Sequence, residues 1–277
     1  MKTNDLLGRI SLKFHVVASY VTRTRTPIIL ILDALRLTRR PFVAVSDEGI
    51  RLRLNPRSGE SFTFYENLVR RDYLAHGITL RPGDTVVDIG ANIGAFTVLA
   101  AKTIGPSGRV IAFEPIPHTF ERLRENVALN SLQNVECRRA AVGAQEGTLT
   151  LRVASKSAYA SAYIEGDRSA EESLQIVPCV TLEQVCRGEG IGRVHLLKVD
   201  CEGSEHEIFE RLSPELAAKI DQIVMEVHQV PGKSLETLYA NLRARNFSVS
   251  RYPFCWIAIY RPLASPSHAA SADPGAV

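Results

Sequence analysis

The stretch VVDIGANIGAFTVLAA, residues 86–101, decides the fold. An apolar run ends in an acid, Asp88, and two glycines, Gly90 and Gly94, follow before the chain becomes apolar again. This order predicts a buried strand, a tight turn and a helix, because glycine adopts the positive φ angles of sharp turns. In an open α/β sheet, ligands bind beyond the carboxyl ends of the strands, so this turn is the first place to look for a site.

Strands alternate with helices after this stretch. The strand TVVDIG and a helix over residues 96–104 precede a second strand, RVIAFEP, and a second helix over residues 119–130. Further strands are predicted in VECRRAAV, TLTLRV, HLLKVD and QIVMEVH. The last two runs, FSVSRY and FCWIAIY, are separated by Pro253 and are typical of an antiparallel hairpin. The pattern predicts an α/β fold with a doubly wound, mostly parallel sheet and a terminal antiparallel hairpin.

The first 64 residues are predicted to form an extension before this sheet. Residues 1–40 contain eight Lys or Arg against two acids, and their apolar residues recur at helical spacing. Three interpretations stay open for them: a helix packed on the main domain, which we favour, a membrane-surface helix, or a targeting segment. Two alternating runs in residues 42–54 flank a turn and predict a β-hairpin.

Composition limits the remaining possibilities. The chain has 277 residues and a net charge of +3, and the basic extension leaves the rest at −3, with no basic stripe for a nucleic acid. The five cysteines are odd in number and show no CxxC spacing, which favours a reducing, cytoplasmic interior over a disulfide framework or a zinc site. No stretch of 18 or more apolar residues predicts a spanning helix. We expect one main domain over residues 65–261 and a disordered tail over residues 262–277.

An acid after the second strand indicates the ligand. Glu114 lies 20 residues after Gly94, a separation at which a carboxylate accepts hydrogen bonds from ribose hydroxyls. A dinucleotide requires a G-x-G-x-x-G turn that points amides at a pyrophosphate, but this turn has one glycine fewer and carries Asp88 at its mouth. A carboxylate repels phosphate and attracts a cation, so the pattern favours S-adenosylmethionine. A plain strand-to-helix turn and a nicotinamide-dependent oxidoreductase are the alternatives.

Four segments in this order resemble one enzyme family. DIGANIG, FEPIPHTFERLRENVALN, AAVG and LLKVDCEGSEHEIF are similar to the FkbM-type family of class I S-adenosylmethionine-dependent methyltransferases. The resemblance covers roughly residues 60–230, and KVDCEGSE is its most specific part. It implies a seven-stranded Rossmann-like sheet with a terminal antiparallel hairpin. It also implies methyl transfer, usually to oxygen on sugars, polyketides or related small molecules.

The expected cofactor-binding residues follow from the turn, from the acid after the second strand and from this resemblance. They are Glu66, Asp88, Gly90, Ala91, Asn92, Gly94, Glu114 and Ala141. Glu66 lies in the segment before the first strand, and the resemblance implies that it closes over the cofactor.

The expected catalytic residues lie at two strand ends. Methyl transfer needs a group that removes the acceptor's proton as the new bond forms. Asp200 and Glu202 follow one strand, Glu226 and His228 end the next, and parallel neighbours bring all four to one edge of the sheet. We expect Asp200, Glu202 and His228 to be catalytic, with His228 as a candidate general base, and we expect no metal. The four side chains are also a possible ligand set for Mg²⁺.

Neighbouring residues have structural interpretations. Ser204 and Glu207 have the spacing of a capping box, and Glu205 has the position of an acid that interacts with a helix dipole. Lys198 is expected to pair with an acid or to touch substrate. A non-catalytic module that binds the cofactor stays open as an alternative function. The acceptor site is expected to be formed by residues 155–178 and the N-terminal segment.

Overall fold

The structure is a computed structural model that describes residues 15–154, 160–161, 172–252 and 257–262. The first 14 residues, the predicted turn at Pro253 and the predicted tail after Pro262 lie outside these ranges. In chain order, the strands are β1 (Phe42–Val45), β2 (Arg51–Leu54), β3 (Thr85–Ile89), β4 (Arg109–Phe113), β5 (Val135–Arg138), β6 (Ala141–Gly143), β7 (Gly147–Ala154), β8 (Ala160–Ser161), β9 (Glu172–Thr181), β10 (Leu196–Val199), β11 (Ile223–Glu226), β12 (Phe247–Arg251) and β13 (Ile257–Pro262).

Helices connect most of these strands. They are α1 (described from residue 15 to residue 23), α2 (Pro27–Ala34), α3 (Glu60–Phe64), α4 (Ala95–Ile104), α5 (Pro117–Leu129), α6 (Leu182–Gly188), α7 (Glu205–Glu210), α8 (Pro214–Ala217) and α9 (Leu235–Arg243). A π-helical turn (Tyr65–Arg70) and a 3-10 turn (Asp72–Leu74) follow α3 directly. No helix in the described ranges is long and apolar enough to cross a bilayer.

A sheet with the strand order β12-β13-β11-β10-β3-β4-β5 forms the centre of the fold. The five strands from β11 to β5 run parallel, with Val87 of β3 beside Leu197 of β10 and Ile111 of β4. β13 pairs antiparallel with β11 and with β12. The predicted parallel sheet is confirmed. Its central strands are covered on both faces, which is why four of the five residues of β3 are buried and apolar residues dominate it.

Helices cover the sheet on both sides, as a doubly wound fold requires. Side chains of α6, α7, α8 and α9 share a hydrophobic cluster with Val87, Ile111 and Leu197. On the opposite face, residues of α4 pack with Val86 and Val110. The carboxyl ends of β3, β4, β10 and β11 therefore meet at one edge of the sheet, where an open α/β fold binds its ligands.

The N-terminal extension packs on this sheet through a shared core. Strands β1 and β2 pair antiparallel, as the alternation predicts, with Phe42 opposite Leu54. The Tyr20 hydroxyl of α1 donates a hydrogen bond to the Ser61 carbonyl oxygen at 3.0 Å. Residues of α1, α2 and the hairpin belong to the same hydrophobic cluster as residues of α4 and α5. The expected domain boundary after residue 64 falls where α3 continues into the π-helical turn.

A second, smaller sheet corrects part of the strand prediction. It has the order β6-β9-β7-β8 and lies outside the central sheet. VECRRAAV was predicted as one strand, but it divides into β5 of the central sheet and the start of β6. We expected residues 155–178 to contribute to the acceptor site and predicted no strand in them, but β9 covers their last part and pairs along β7. Residues 155–159 and 162–171 lie outside the described ranges.

Candidate active site

The turn between β3 and α4 lies against the chain that follows β10. Gly90 has a φ of 75°, and a Cβ at this position would lie 1.7 Å from the carbonyl oxygen of Asp200. Gly94 has a φ of 86°, and a Cβ there would lie 2.6 Å from Cδ1 of Leu123. We predicted that these glycines make room for a ligand. In the structure, the Asp200 backbone requires glycine at position 90, and the positive φ favours glycine at position 94; that the two make room for a ligand stays a prediction.

Glu114 is fixed at the end of β4 by two backbone amides. Its Oε2 accepts a hydrogen bond from the Asn92 N–H at 3.0 Å, and its Oε1 accepts one from the Ile116 N–H at 2.9 Å. Asn92 itself has a φ of 51°, in the left-handed region that asparagine tolerates better than most residues. Burial raises the pKa of Glu114 to about 7, although both amide hydrogen bonds lower it. The carboxylate is therefore held rigidly at the wall of a cavity.

This cavity lies at the edge of the sheet where the strand ends meet. Six of the predicted site residues line it: Gly90, Asn92, Glu114, Ala141, Asp200 and Glu202. The other predicted cofactor residues are not among its lining. Ala91, for example, is buried in the turn, and its N–H donates a hydrogen bond to the Phe113 carbonyl oxygen at 2.9 Å. Predicted residues that follow β3, β4 and β10 thus share one cavity, whereas the predicted catalytic residue His228, after β11, is not among its lining.

Asp88 is fully buried beneath the turn. Its Oδ2 accepts a hydrogen bond from the Thr97 hydroxyl at 2.5 Å, and its Oδ1 lies 3.2 Å from Nζ of Lys198. Lys198 also donates to the Gly90 carbonyl oxygen at 2.7 Å. We expected the Asp88 carboxylate to face a cationic ligand, but the cation that faces it in the structure is Lys198. Asp88 therefore does not line the cavity. Lys198 links it to the cavity wall by donating to the carbonyl oxygen of Gly90, which is a lining residue.

Asp200 closes β10 and is held by two neighbours. The Tyr73 hydroxyl donates a hydrogen bond to Asp200 Oδ2 at 2.9 Å, and Lys198 Nζ lies 3.7 Å from the same oxygen. Burial lowers the pKa of Lys198, but the charges of Asp88 and Asp200 outweigh burial and raise it overall. Lys198 is therefore a permanent cation between two carboxylates. It pairs with acids, which was one of the two roles expected for it.

His228 lies inside a ring of carboxylates. Its Nδ1 is 2.9 Å from Glu205 Oε1, and its Nε2 is 3.3 Å from Glu202 Oε2 and 3.9 Å from Glu226 Oε1. Burial lowers the pKa of His228, but the hydrogen bond to Glu205 and the charges of the other acids outweigh burial and raise it to about 9. The imidazole is therefore protonated at neutral pH.

Glu205 is a site residue that the sequence prediction missed. It is completely buried and accepts hydrogen bonds from the N–H groups of Gly203 and His228, at 2.8 and 2.7 Å. The predicted capping box of Ser204 and Glu207 is wrong, because the Ser204 side chain makes no cap hydrogen bond. Glu205, the first residue of α7, instead turns toward the amide at 203 and across to His228. Its position as the last residue of KVDCEGSE was the only sequence signal for this role.

Asp200, Glu226 and His228 are close enough together to bind one metal ion. Each offers one ligand atom, and these atoms lie within 4.8 Å of one another. Among the residues that the structure describes, no other such group of three is present. Carboxylate oxygens together with an imidazole nitrogen are donors that divalent cations accept.

Glu66 lies on the acidic side of the site. It belongs to the π-helical turn, and burial, followed by the charges of Asp72 and Asp200, raises its pKa to about 7. Glu66 is therefore close enough to Asp200 for the charge of Asp200 to raise the pKa of Glu66. The structure places Glu66 near Asp200 and Glu226, whose carboxyl groups interact electrostatically with it, and its closing over the cofactor stays a prediction.

The folded protein is expected to lose stability as the pH rises from about 4.5 to about 9. Burial raises the pKa of Glu114 and Glu202 from 4.5 to about 7, and His228 keeps its proton up to about pH 9 instead of 6.5. The folded state therefore binds more protons than the unfolded chain in this window, so the free energy of unfolding falls as the pH rises. Thermal unfolding followed by circular dichroism gives Tm at each pH. Glu202→Gln should flatten the dependence, whereas substitution of the exposed Glu215 of α8, Glu215→Gln, should not. A Tm that rises with pH would contradict the prediction.

Comparison with known proteins gives the same functional class. The family model described as Methyltransferase FkbM domain matches residues 88–249. The 31-O-demethyl-FK506 methyltransferase FkbM of Streptomyces tacrolimicus is 32% identical over 220 residues, which cover 69% of this chain and 84% of the relative. Methyltransferase 1 of Beauveria bassiana is 28% identical over 187 residues, which cover 61% of this chain and 74% of the relative.

A solved structure was also found. The crystal structure of Methyltransferase FkbM from Methylobacillus flagellatus KT covers 71% of this chain and 47% of that chain, with 15% sequence identity and a TM-score of 0.47. The family match itself spans more than half of this chain, from Asp88 in β3 to Val249 in β12. It includes the glycine turn, Glu114 and both acidic strand ends. The chain therefore belongs to the FkbM family of methyltransferases.

Proposed function

We propose that the protein transfers a methyl group from S-adenosylmethionine to a hydroxyl oxygen of a small molecule. One observation carries the proposal: an acid suited to a ribose and a pair of acids suited to proton removal line a single cavity. These residues are Glu114 at the end of β4 and Asp200 and Glu202 after β10. We assign this activity to residues 65–261, with the terminal hairpin at the edge of the sheet.

The cavity offers groups that fit an adenosine with a positive charge. Each oxygen of Glu114 accepts one backbone N–H, which leaves further acceptor positions for the two ribose hydroxyls. Phe113 and Ala141 supply apolar wall for the adenine. When it is bound, S-adenosylmethionine supplies a methyl group that its sulfonium makes transferable. Asp200 and Glu202 attract such a cation to their part of the cavity.

The acidic strand ends are suited to remove a proton. As the acceptor oxygen bonds to the methyl carbon, the carbon–sulfur bond breaks and the hydroxyl proton must leave. We assign the proton to Asp200, whose carboxylate is oriented by Tyr73 and Lys198. Glu202 is the second acceptor, because burial raises its pKa to about 7, near the operating pH.

We assign a different role to His228 than the sequence prediction did. An imidazole acts as a general base only in its unprotonated form, but the pKa of His228 is raised to about 9 by its contacts with Glu205 and other acids, against the effect of burial. The charged imidazole instead positions Glu202 through the 3.3 Å contact of Nε2. In this proposal His228 stabilises the negative charge of the pocket, and the carboxylates accept the proton.

The acceptor is proposed to be a small molecule with a free hydroxyl, such as a sugar or a polyketide. The name of the Streptomyces tacrolimicus relative describes methylation of the 31-oxygen of a small molecule, which supports this class. The charge of −3 on the chain outside residues 1–40 disfavours a polyanionic nucleic acid as the acceptor.

Calorimetry with S-adenosylhomocysteine, S-adenosylmethionine and NAD tests the cofactor. We expect both adenosyl ligands to bind and NAD not to bind. Glu114→Gln should weaken adenosyl binding by about 10- to 100-fold, because a hydrogen bond to a charged acceptor contributes about 1.5–3 kcal/mol. Glu121→Gln, on the exposed face of α5, is the matched control and should bind as the wild type does.

The two alternative functions give different outcomes in this experiment. Tight binding of NAD without a response to the adenosyl ligands would indicate an oxidoreductase and overturn the proposal. Tight adenosyl binding without methyl transfer to any of a panel of sugar and polyketide hydroxyls would support the non-catalytic module. Methyl transfer detected with a labelled methyl donor is the result that supports the enzyme.

A further inference from the structure

Helix α2 exposes an apolar face. Ile28 is 74% exposed and Leu35, at the C-cap, is 62% exposed. These residues are seven positions apart and therefore lie on the same side of the helix. The opposite side carries Leu30 and Asp33, which are both buried against the rest of the extension. Leu37, two residues after Leu35, is 63% exposed. The helix thus packs through one side and presents large aliphatic side chains on the other.

Basic residues flank this apolar face. Arg36, Arg39 and Arg40 follow the helix directly and are exposed. The Arg57 guanidinium joins them, because it donates a hydrogen bond to the Arg36 carbonyl oxygen at 2.9 Å. We call Ile28, Leu35, Leu37, Arg36, Arg39 and Arg40 together the α2 surface.

Acids are almost absent from this part of the chain. Residues 15–46 contain five arginines and a single acid, Asp33. Asp33 is buried and accepts hydrogen bonds from the hydroxyls of Thr38 and Ser61 and from the Arg57 N–H. Its charge therefore stabilises the extension internally and does not neutralise the exposed arginines by direct contact. The α2 surface combines an apolar centre with positive charge that forms no ion pair with an acid in the described ranges.

We propose that the α2 surface docks on a bilayer that contains anionic phospholipid. Aliphatic side chains beside arginines match the two layers of a membrane interface, since the side chains enter the acyl boundary and the guanidiniums contact lipid phosphates. An eight-residue helix is about 12 Å long, so it lies along the interface.

A second copy of the chain fits this surface less well. In a two-fold dimer the same patch meets itself, which would bring Arg36, Arg39 and Arg40 of both copies together. Like charges brought together at an interface oppose association. An anionic bilayer instead offers opposite charge at the rim and an apolar layer at the centre. Charge complementarity therefore selects the bilayer.

Co-sedimentation of the full-length protein with lipid vesicles tests the proposal. We expect binding to vesicles of phosphatidylcholine with phosphatidylglycerol, little binding to pure phosphatidylcholine, and weaker binding as salt rises. Each basic residue near an anionic surface contributes about fivefold, so Arg36→Gln/Arg39→Gln/Arg40→Gln should weaken binding by about 100-fold. Ile28→Ser/Leu35→Ser should weaken it by at least about tenfold.

Matched control variants distinguish binding through the α2 surface from nonspecific adsorption to the vesicles. Leu174 and Ile176 of β9 are 69% and 74% exposed, so Leu174→Ser/Ile176→Ser removes a similar apolar area elsewhere. Arg81→Gln/Arg187→Gln/Arg243→Gln removes the same charge from other exposed positions. Both controls should bind vesicles as the wild type does. Unchanged Tm values establish that all four variants are folded.

Three results would overturn the proposal. The first is no binding of the wild type to anionic vesicles. The second is an equal loss of binding in the α2 variants and the controls. The third is self-association of the wild type without lipid that Ile28→Ser/Leu35→Ser abolishes, because this result would assign the surface to a second copy. None of these variants touches the cavity, so the outcome is independent of the proposed methyl transfer.

Discussion

Asp200→Asn is expected to lower the turnover number by about 10² to 10⁴, with the affinity for S-adenosylhomocysteine changed by less than about threefold. Asparagine keeps the shape of the side chain and can still accept the hydrogen bond of Tyr73. Lys198 keeps its other carboxylate, Asp88, so the turn below the cavity should stay in place. The substitution thus removes the negative charge and the proton acceptor. Methyl transfer to the acceptor that the wild type uses is the measurement.

Asp221→Asn is the matched control for this experiment. Asp221 pairs with Arg193 at 2.8 Å and lies just before β11, at the opposite end of the sheet from the site. The control should retain wild-type turnover. Near-normal turnover in Asp200→Asn would move the chemistry to another group, and Glu202→Gln, at the second proposed proton acceptor, would then be the next variant to measure.

A chelator decides whether Asp200 acts through a cation. Asp200, Glu226 and His228 are spaced as metal ligands, but we expect turnover to survive EDTA because we assign the proton directly to the carboxylate. Loss of turnover in EDTA that Mg²⁺ restores would reassign Asp200 as a ligand. Either result keeps Asp200 in the methyl-transfer centre, and the Asp200→Asn measurement tests that assignment separately.

Gly90→Ala is expected to destabilise the fold by about 3 kcal/mol and to abolish cofactor binding. The added Cβ would lie 1.7 Å from the Asp200 carbonyl oxygen, which belongs to the backbone and cannot rotate away. The chain must therefore separate at the point where β3 and β10 end. This separation displaces the turn that holds the Asn92 amide on Glu114. Chemical denaturation and calorimetry measure the two effects.

Gly59→Ala separates this overlap from the cost of the backbone angle. Gly59 has a φ of 88° at the N-cap of α3, and a Cβ there would meet no atom within 4 Å. We expect a loss of about 1–2 kcal/mol for the left-handed conformation alone, with cofactor binding unchanged. Equal effects of Gly90→Ala and Gly59→Ala would show that the contact with Asp200 is unimportant.

The central sheet was predictable because its strands are buried on both faces. β3 and β4 are nearly continuous apolar runs, and the helices between them follow the helical period. The small sheet was not predictable because β9 carries apolar residues on both faces, so its sequence does not alternate between apolar and polar. Ile176 is exposed, Val177 is buried, and Pro178 interrupts the strand pattern. Pairing with β7 determines this strand, and local sequence does not record that pairing.

Strand ends were the reliable guide to the site. Glu114 and Asp200 were predicted from their positions after strands, and both line the cavity. Partners across the fold could not be predicted from spacing. Lys198 meets Asp88 from a neighbouring strand, and Glu205 meets His228 from a helix 23 residues earlier in the chain. Buried charges find partners by tertiary contact, so sequence spacing identifies the acids without identifying what neutralises them.

The hydrophobic cluster shared by the extension and the sheet has a geometric consequence. Tyr20 and Leu30 of the extension belong to the same buried core as Leu99 of α4 and Leu123 of α5. A segment joined in this way cannot swing as a tethered arm. When α2 binds a surface, the sheet keeps a fixed angle to that surface, and the mouth of the cavity keeps one direction. Attachment through α2 would therefore fix the orientation of the cavity mouth relative to that surface, and with it the side from which an acceptor enters.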